Sequence, residues 1–235
     1  ATTYLETRKQ AKFVAAGLIA NGFRTGERVA LLSEGCNDWI FGELGILYAG
    51  GVNVPLSIKL TARELIFRIN HSGARFLFLS DHYLGMIHEI ELEIPEVERI
   101  FVFHYVLPET GKYTSFEQLK KTGCLYMSEH PGSLQKRTLA VKSDDVANIS
   151  YTSGTTAEPK GIMLSHGNFV SNVLQSDTLI RIPEYFKILL FLPWDHSFAH
   201  TVGLYSFMYN GASLASVDYG QSGMEYLRNI PVNLQ

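Results

Sequence analysis

Cysteine is scarce: Cys36 and Cys124 are the only two in 235 residues, too few and too far apart for a disulfide framework or a CxxC pair. A reducing, cytoplasmic setting follows as the expectation. Charge is sparse as well, at 18% of residues, with 20 Lys and Arg against 23 Asp and Glu for a net −3. That lacks the basic excess needed to hold nucleic-acid phosphates, so a nucleic-acid partner is not expected. Long apolar runs are missing too. The longest charge-free stretch, Ser197–Val217, is broken by Asn210-Gly211 and carries Ser and Thr throughout, so it reads as helix, turn and strand, with no transmembrane segment. There is no charged n-region followed by an apolar h-region, no GxGxxG and no HExxH. Gly220-Gln-Ser222-Gly223 falls one residue short of a nucleophile elbow.

What remains is an ordinary globular composition, 46% hydrophobic with 20 Gly and 8 Pro, long enough for a sizeable core. Strand-like and helical patterns alternate almost throughout. Residues 4–20 place Leu5, Val14, Leu18 and Ile19 on one helical face, and Gly22 is a natural stop. Short apolar runs at 28–33, 52–55, 75–80 and 99–103 read as strands, with helices over 37–49 and 82–92. Thr61-Ala-Arg-Glu64 has the capping-box pattern of a helix ending near Gly73. The rhythm breaks between His104 and Asp145, where Pro108, Gly111, Gly123 and Pro131-Gly132 surround one short helical pattern at Ser115–Lys121. It resumes with strands at 146–151 and 162–164, a helix from about 168, a strand at 187–192, a helix over 197–209, a strand at 212–217 and a helix over 222–229.

Strands separated by helices predict parallel pairing and an α/β fold of sheet layers with flanking helices. The expected organisation is a first α/β subdomain with its connecting region, 1–145, then a second α/β segment, 146–235. The first residue is not Met and the end carries no capping signal, which suggests a fragment. Cutting a sheet before its neighbours would expose strand edges, a route to a homodimer.

One stretch carries chemistry: Tyr151-Thr-Ser-Gly-Thr-Thr-Ala-Glu-Pro-Lys-Gly161. Thr152, Ser153, Thr155 and Thr156 offer four hydroxyls, Gly154 permits close backbone approach, and Lys160 supplies one cation at a turn stiffened by Pro159. Such a loop between strands can wrap a polyphosphate; a Ser/Thr-rich surface loop is the plainer reading. It is no Walker loop, because Gly161 and the strand-like Ile162-Met-Leu164 follow the lysine where a hydroxyl residue and a helix would be needed.

These residues resemble the phosphate loop of the adenylate-forming, or AMP-binding, enzymes: acyl-CoA synthetases, firefly luciferase and peptide-synthetase adenylation domains. Ile162-Met-Leu-Ser-His-Gly-Asn-Phe-Val-Ser-Asn-Val173 is most similar to the long-chain fatty acyl-CoA synthetase branch. Gly26-Glu-Arg-Val-Ala30, Gly45–Leu56 and Leu192-Pro-Trp-Asp-His-Ser-Phe198 follow the family's pattern in the correct order. The resemblance implies an acid–thiol ligase of fatty acid metabolism that uses ATP, Mg²⁺ and CoA. A fatty acid carboxylate would form acyl-AMP and then a CoA thioester. Thr152, Ser153, Gly154, Thr155, Thr156 and Lys160 would bind the nucleotide, with Thr152 also holding Mg²⁺. His196 of the Pro-x-x-His segment would lie beside the acyl group, with Phe198 and His200 further along that wall.

Departures from the family pattern matter. Ala157 stands where the family usually has Gly, and if its φ is positive the cost is about 1 kcal/mol. The family's adenine pocket, acidic Mg²⁺ ligand, ribose aspartate and C-terminal catalytic lysine fall beyond the last residue, so no complete catalytic set is present and the chain is expected to be inactive alone. Two rivals stand beside this reading: an acyl-AMP or aryl-acid ligase loading another acceptor, and a non-catalytic nucleotide- or lipid-binding module. Peripheral membrane contact is compatible with a fatty-acid enzyme, although no anchor or basic patch demands it.

Other constellations offer less. His196 and His200, four apart, would share a helical face as a metal pair does, but no third ligand is identifiable and pocket histidines fit better. Asp195-His196 and Ser165-His166 are sequence neighbours whose side chains diverge, and Ser165 suits a helix cap. Asp144-Asp145 reads as a solvated turn. Phe198, Tyr205, Phe207, Met208 and Tyr209 suit either core packing or an acyl tunnel.

Overall fold

Parallel strands shielded by helices dominate the computed structural model, which describes residues 1–104, 111–152, 159–217, 225, 228–230 and 233. Strands β1 (Arg28–Leu32), β2 (Val52–Leu56), β3 (Ala74–Ser80), β4 (Arg99–Phe103), β5 (Tyr113–Ser115), β6 (Val146–Thr152) and β7 (Lys160–Ser165) form one sheet in the order β5-β4-β3-β1-β2-β6-β7. Two further strands, β8 (Lys187–Leu190) and β9 (Ser213–Ser216), pair in parallel as a separate sheet. The chain divides into two compact units, residues 1–33 with 37–166 and residues 34–36 with 167–235. Strands β6 and β7 belong to the first sheet, which they join through the β2–β6 pairing.

In the first unit the central strands β3 and β4 are apolar runs, yet period-two alternation sorts their side chains by shape. Phe76 and Phe78 of β3, with Phe101 and Phe103 of β4, form a buried aromatic face closed by Phe116, whose ring lies 4.6 Å from Phe103 and 5.2 Å from Phe78. The intervening Leu77, Leu79, Ile100 and Val102 form an aliphatic face with Leu65, Ile69, Ile87 and Ile90. Helices α1 (Tyr4–Ala20), α2 (Asn37–Tyr48) and α5 (Phe116–Glu129) pack together, while α3 (Ala62–Ser72) and α4 (Leu84–Ile90) supply the aliphatic cover.

Parallel pairing was expected where helices separate the strands, and β6 and β7, which the sequence joins by a Ser/Thr/Gly stretch, are antiparallel. Only seven residues lie between them, too few for the crossover that a parallel pair needs. The region 104–145, expected to hold one short helix, holds α5 of 14 residues and α6 (Ser133–Leu139) of seven. Gly123 looked like a breaker there but lies inside α5, where a Cβ would overlap the Phe13 carbonyl oxygen of α1. Gly17 sits at the same crossing, its absent Cβ directed at Leu119. Leu5, expected on the buried face, is 77% exposed, because α1 turns Thr7, Ala11, Val14 and Leu18 inward.

The expected helix 82–92 is 3₁₀ at both ends with only Leu84–Ile90 in α form. In the second unit, 197–209 was expected as one α-helix. Ala199–Tyr205 is instead π-helical and only Ser206–Tyr209 is α-helical; both the amide and the hydroxyl of Ser206 donate to the Thr201 carbonyl five residues back. The expected helix 222–229 lies largely outside the described residues.

Candidate functional site

The β6–β7 hairpin positions the first set of site residues. Its register places Thr152 opposite Lys160 and Tyr151 opposite Gly161, so the hydroxyl-bearing residue and the cation face each other across the neck of the loop. Both are exposed. Ser153, Gly154, Thr155 and Thr156, together with Ala157, lie outside the described residues.

Tyr151 ties this neck to α3. Its half-buried hydroxyl donates to the Arg68 carbonyl at 3.3 Å and lies 2.8 Å from His71 Nδ1, which as Nδ1–H donates to it. The Arg68 guanidinium lies 5.6 Å from the Tyr151 ring centre, and Phe67 stacks on His71 at 5.2 Å. Burial pushes the Tyr151 phenol above its ordinary pKa, with Arg68 opposing in part, so the hydroxyl keeps its proton at neutral pH. Gly161 is where this tyrosine needs room: a Cβ there would lie 3.0 Å from Ile149 and 3.3 Å from the Tyr151 ring. The motif flagged Tyr151 only as its first residue. Its partners on α3 were missed because they lie 80 and 83 positions away.

At the far end of the hairpin, the Asp145 carboxylate accepts the Lys142 amide at 2.8 Å and its carbonyl accepts the His166 amide at 3.1 Å, closing the expected turn. Burial depresses the His166 pKa, with Asp145 pulling the other way.

The resemblance implies magnesium. Among the described residues no group of three or more His, Cys, Asp or Glu comes together to hold a metal. Magnesium arriving with a polyphosphate keeps water and phosphate oxygens and needs few protein ligands. One exposed hydroxyl at a strand end, as Thr152 presents, fits such a role.

The second unit holds the histidine segment. His200 donates its backbone N–H to the His196 carbonyl at 3.0 Å, so the two are one helical turn apart. Their environments differ: His196 is exposed, whereas His200 is 1% exposed and packs on Phe169 at 5.2 Å and Tyr205 at 5.0 Å. Phe198 is mostly exposed, and its backbone N–H donates to His196 Nδ1 at 3.4 Å. Beside them Trp194 is buried, donating from its indole to the Leu190 carbonyl at 3.4 Å. Gly35 belongs to this unit, and a Cβ there would overlap the Trp194 indole. The sequence quoted Trp194 within a motif but held no sign of Gly35 as its neighbour.

Within one chain, then, an α/β sheet carries a hydroxyl-rich hairpin with an opposed Thr and Lys, and a Pro-x-x-His segment follows it. This is the layout of the AMP-binding enzymes, whose family profile matches residues 1–230, and the chain belongs to that family. It is 30% identical over 210 residues to the long-chain-fatty-acid–CoA ligase FadD15 of Mycobacterium tuberculosis, a match covering 87% of this chain and 33% of that one. It thus spans about a third of the length of that relative. Among solved structures it resembles ATP-bound MatB of Rhodopseudomonas palustris at a TM-score of 0.71 and 26% identity, covering 90% of this chain and 39% of that one. The anthranilate–CoA ligase AuaEII, solved with anthranoyl-AMP, shares the fold at a TM-score of 0.76 and 23% identity, over 92% of this chain and 39% of its own.

Proposed function

We propose that this chain is the phosphate-gripping and acyl-lining part of an ATP-dependent acyl-CoA synthetase whose acid is a long-chain fatty acid. One observation carries the reading: Thr152 and Lys160 stand opposite each other at the neck of the hydroxyl-rich loop of a family member. In the first step a carboxylate oxygen attacks the α-phosphorus of ATP and the bond to pyrophosphate breaks, leaving acyl-AMP. In the second, the CoA thiolate attacks the acyl carbonyl and AMP departs, leaving the thioester. The first step brings two anions together, so the site must offset charge on the triphosphate before the carboxylate can approach. Lys160 supplies the cation, while the hydroxyls of Thr152, Ser153, Thr155 and Thr156 supply donors. Magnesium, held partly by Thr152, would further neutralise the phosphates.

His196 and Phe198, exposed beside the buried Trp194, would line the acyl group, and His200 would back that wall from within its aromatic cluster. A π-helical turn at 199–205 suits such a role, since π segments recur at functional sites. The likeness to a long-chain-fatty-acid–CoA ligase favours a fatty acid over an aryl acid. The test is carboxylate-dependent ATP–pyrophosphate exchange on the full-length protein with palmitate, octanoate, acetate and benzoate. Exchange is expected to be strongest with palmitate and to fall about ten-fold or more in Lys160→Ala. Strongest exchange with benzoate would replace the fatty acid by an aryl acid, and no exchange with any acid would overturn the reading. The 235-residue chain alone is expected to give none.

A further inference from the structure

Away from the hairpin, the first unit holds a concave track that no part of the proposed reaction uses. A cavity of about 540 Å³ is lined by Arg8 and Lys12 of α1, Tyr48 of α2, His130 after α5, and Gln135 of α6, with Met127 on its apolar side. A neighbouring cavity of about 240 Å³ shares Arg8, Lys12 and Met127 and adds Leu5, Lys9 and Phe13. The two cations are therefore a common wall. Beyond these shared residues the larger cavity mixes polar Tyr48, His130, Gln135 and Thr138 with Leu134 and Leu139, and the smaller sets Leu5 and Phe13 beside Lys9.

The charge of this wall is unbalanced. No carboxylate lines either cavity. Lys9 is engaged by Glu6 at 3.6 Å and lies 5.8 Å from the Phe13 ring centre. Among the described residues no ion pair or side-chain hydrogen bond engages the Arg8 guanidinium or the Lys12 ammonium, which sit four apart on one helical face and repel each other. His130 Nδ1 is 3.2 Å from the Tyr126 carbonyl, which accepts its proton and leaves Nε2 as the remaining polar atom of the ring. Leu5 lines the smaller cavity, and its 77% exposure leaves an aliphatic side chain in water with a groove beside it.

We infer that this track binds an amphiphilic anion. A phosphate or carboxylate head sits between Arg8, Lys12 and His130, and its aliphatic chain lies over Met127, Phe13 and Leu5. The volume is in the range of small-molecule sites, and cations and apolar side chains line the same wall, as an amphiphile's head and chain require. Guanidinium and ammonium groups one helical turn apart can share one anionic head, which relieves their mutual repulsion.

Titration calorimetry on the full-length protein tests this, with monomeric dodecyl phosphate, inorganic phosphate and dodecyl maltoside as probes. Dodecyl phosphate is expected to bind at least ten-fold more tightly than either of the others. The double substitution Arg8→Glu/Lys12→Glu should weaken it at least ten-fold, and Leu5→Asp several-fold, while thermal melting shows each variant folded. Equal affinity for the neutral detergent, or unchanged affinity in the double variant, would overturn the inference. So would co-sedimentation with phosphatidylglycerol vesicles in the absence of monomer binding, which would make the track a membrane face. Because the proposed acyl site could also take dodecyl phosphate, the loss in the Arg8→Glu/Lys12→Glu variant assigns the binding to this track, and unchanged ATP–pyrophosphate exchange in that variant keeps it apart from the proposed reaction.

Discussion

Tyr151 ties the end of β6 to α3. Its hydroxyl is shared between His71 Nδ1 and the Arg68 carbonyl, and it stands next to Thr152 at the end of β6. Removing it should leave the hairpin folded, because the ring keeps its packing and its Arg68 contact. It should free the neck from α3. Tyr151→Phe is therefore expected to raise the KM for ATP by about two- to ten-fold, the equivalent of roughly 0.5–1.5 kcal/mol for one hydrogen-bonded hydroxyl, with kcat and the melting temperature little changed. Steady-state kinetics with varied ATP check this, and an unaltered KM would show that the tether does not orient the loop. The motif made Thr152 and Lys160 legible as candidates by residue type. Their direct opposition was not legible, since it follows from strand register, which a sequence pattern shows only when both strands alternate cleanly. Ile162 and Met163, both exposed and adjacent, blur that alternation.

At the scale of the element, α3 carries the other half of that tether, and its start is built locally. Glu64 donates its N–H to the Thr61 hydroxyl oxygen, while the Thr61 N–H and hydroxyl donate to the Glu64 carboxylate at 2.9 and 2.8 Å. Those bonds, the backbone one first, hold Glu64 below the usual carboxylate range. A depressed carboxylate stabilises the fold above the ordinary pKa of about 4.3, and that contribution is lost as pH falls through the folded-state value. Thr61→Ala should cost about 1 kcal/mol at neutral pH. The gap between variant and wild type in chemical denaturation should narrow below about pH 4 as Glu64 is protonated. A gap independent of pH would mean the carboxylate contributes nothing to the cap. Such a helix is readable because every group involved lies within four residues. The opposite case is α5: Gly123 carries the local mark of a break, and only the crossing with α1, where a Cβ would overlap the Phe13 carbonyl oxygen, reveals why glycine stands mid-helix.

Across the whole molecule the two units differ in how fully they bury their strands. In the first, residues 76–79 of β3 and 100–103 of β4 are completely buried between aromatic and aliphatic faces. In the second, β8 and β9 are four residues each and only Leu190 among them is buried, while Leu179 and Tyr185 are 84% and 80% exposed. A two-stranded sheet with little apolar cover opens locally at low cost. Hydrogen exchange on the 235-residue chain should show amides of β3 and β4 protected at least about 100-fold more than those of β8 and β9. Comparable protection in both would show that the second unit holds its strands as firmly as the first. Among the described residues no helix is long and apolar enough to cross a membrane.

The amino-acid sequence by itself determined the α/β character, most strand positions, the capping box of α3 and the family, because each depends on residues close together in the chain. Tertiary structure alone decided which strands neighbour one another. It also decided the glycine crossing of α1 and α5, the tether from Tyr151 to His71, and the meeting of Arg8, Lys12 and His130 around one track. Each of these joins residues far apart in the chain, and no local propensity or spacing encodes which distant surfaces come to share one contact.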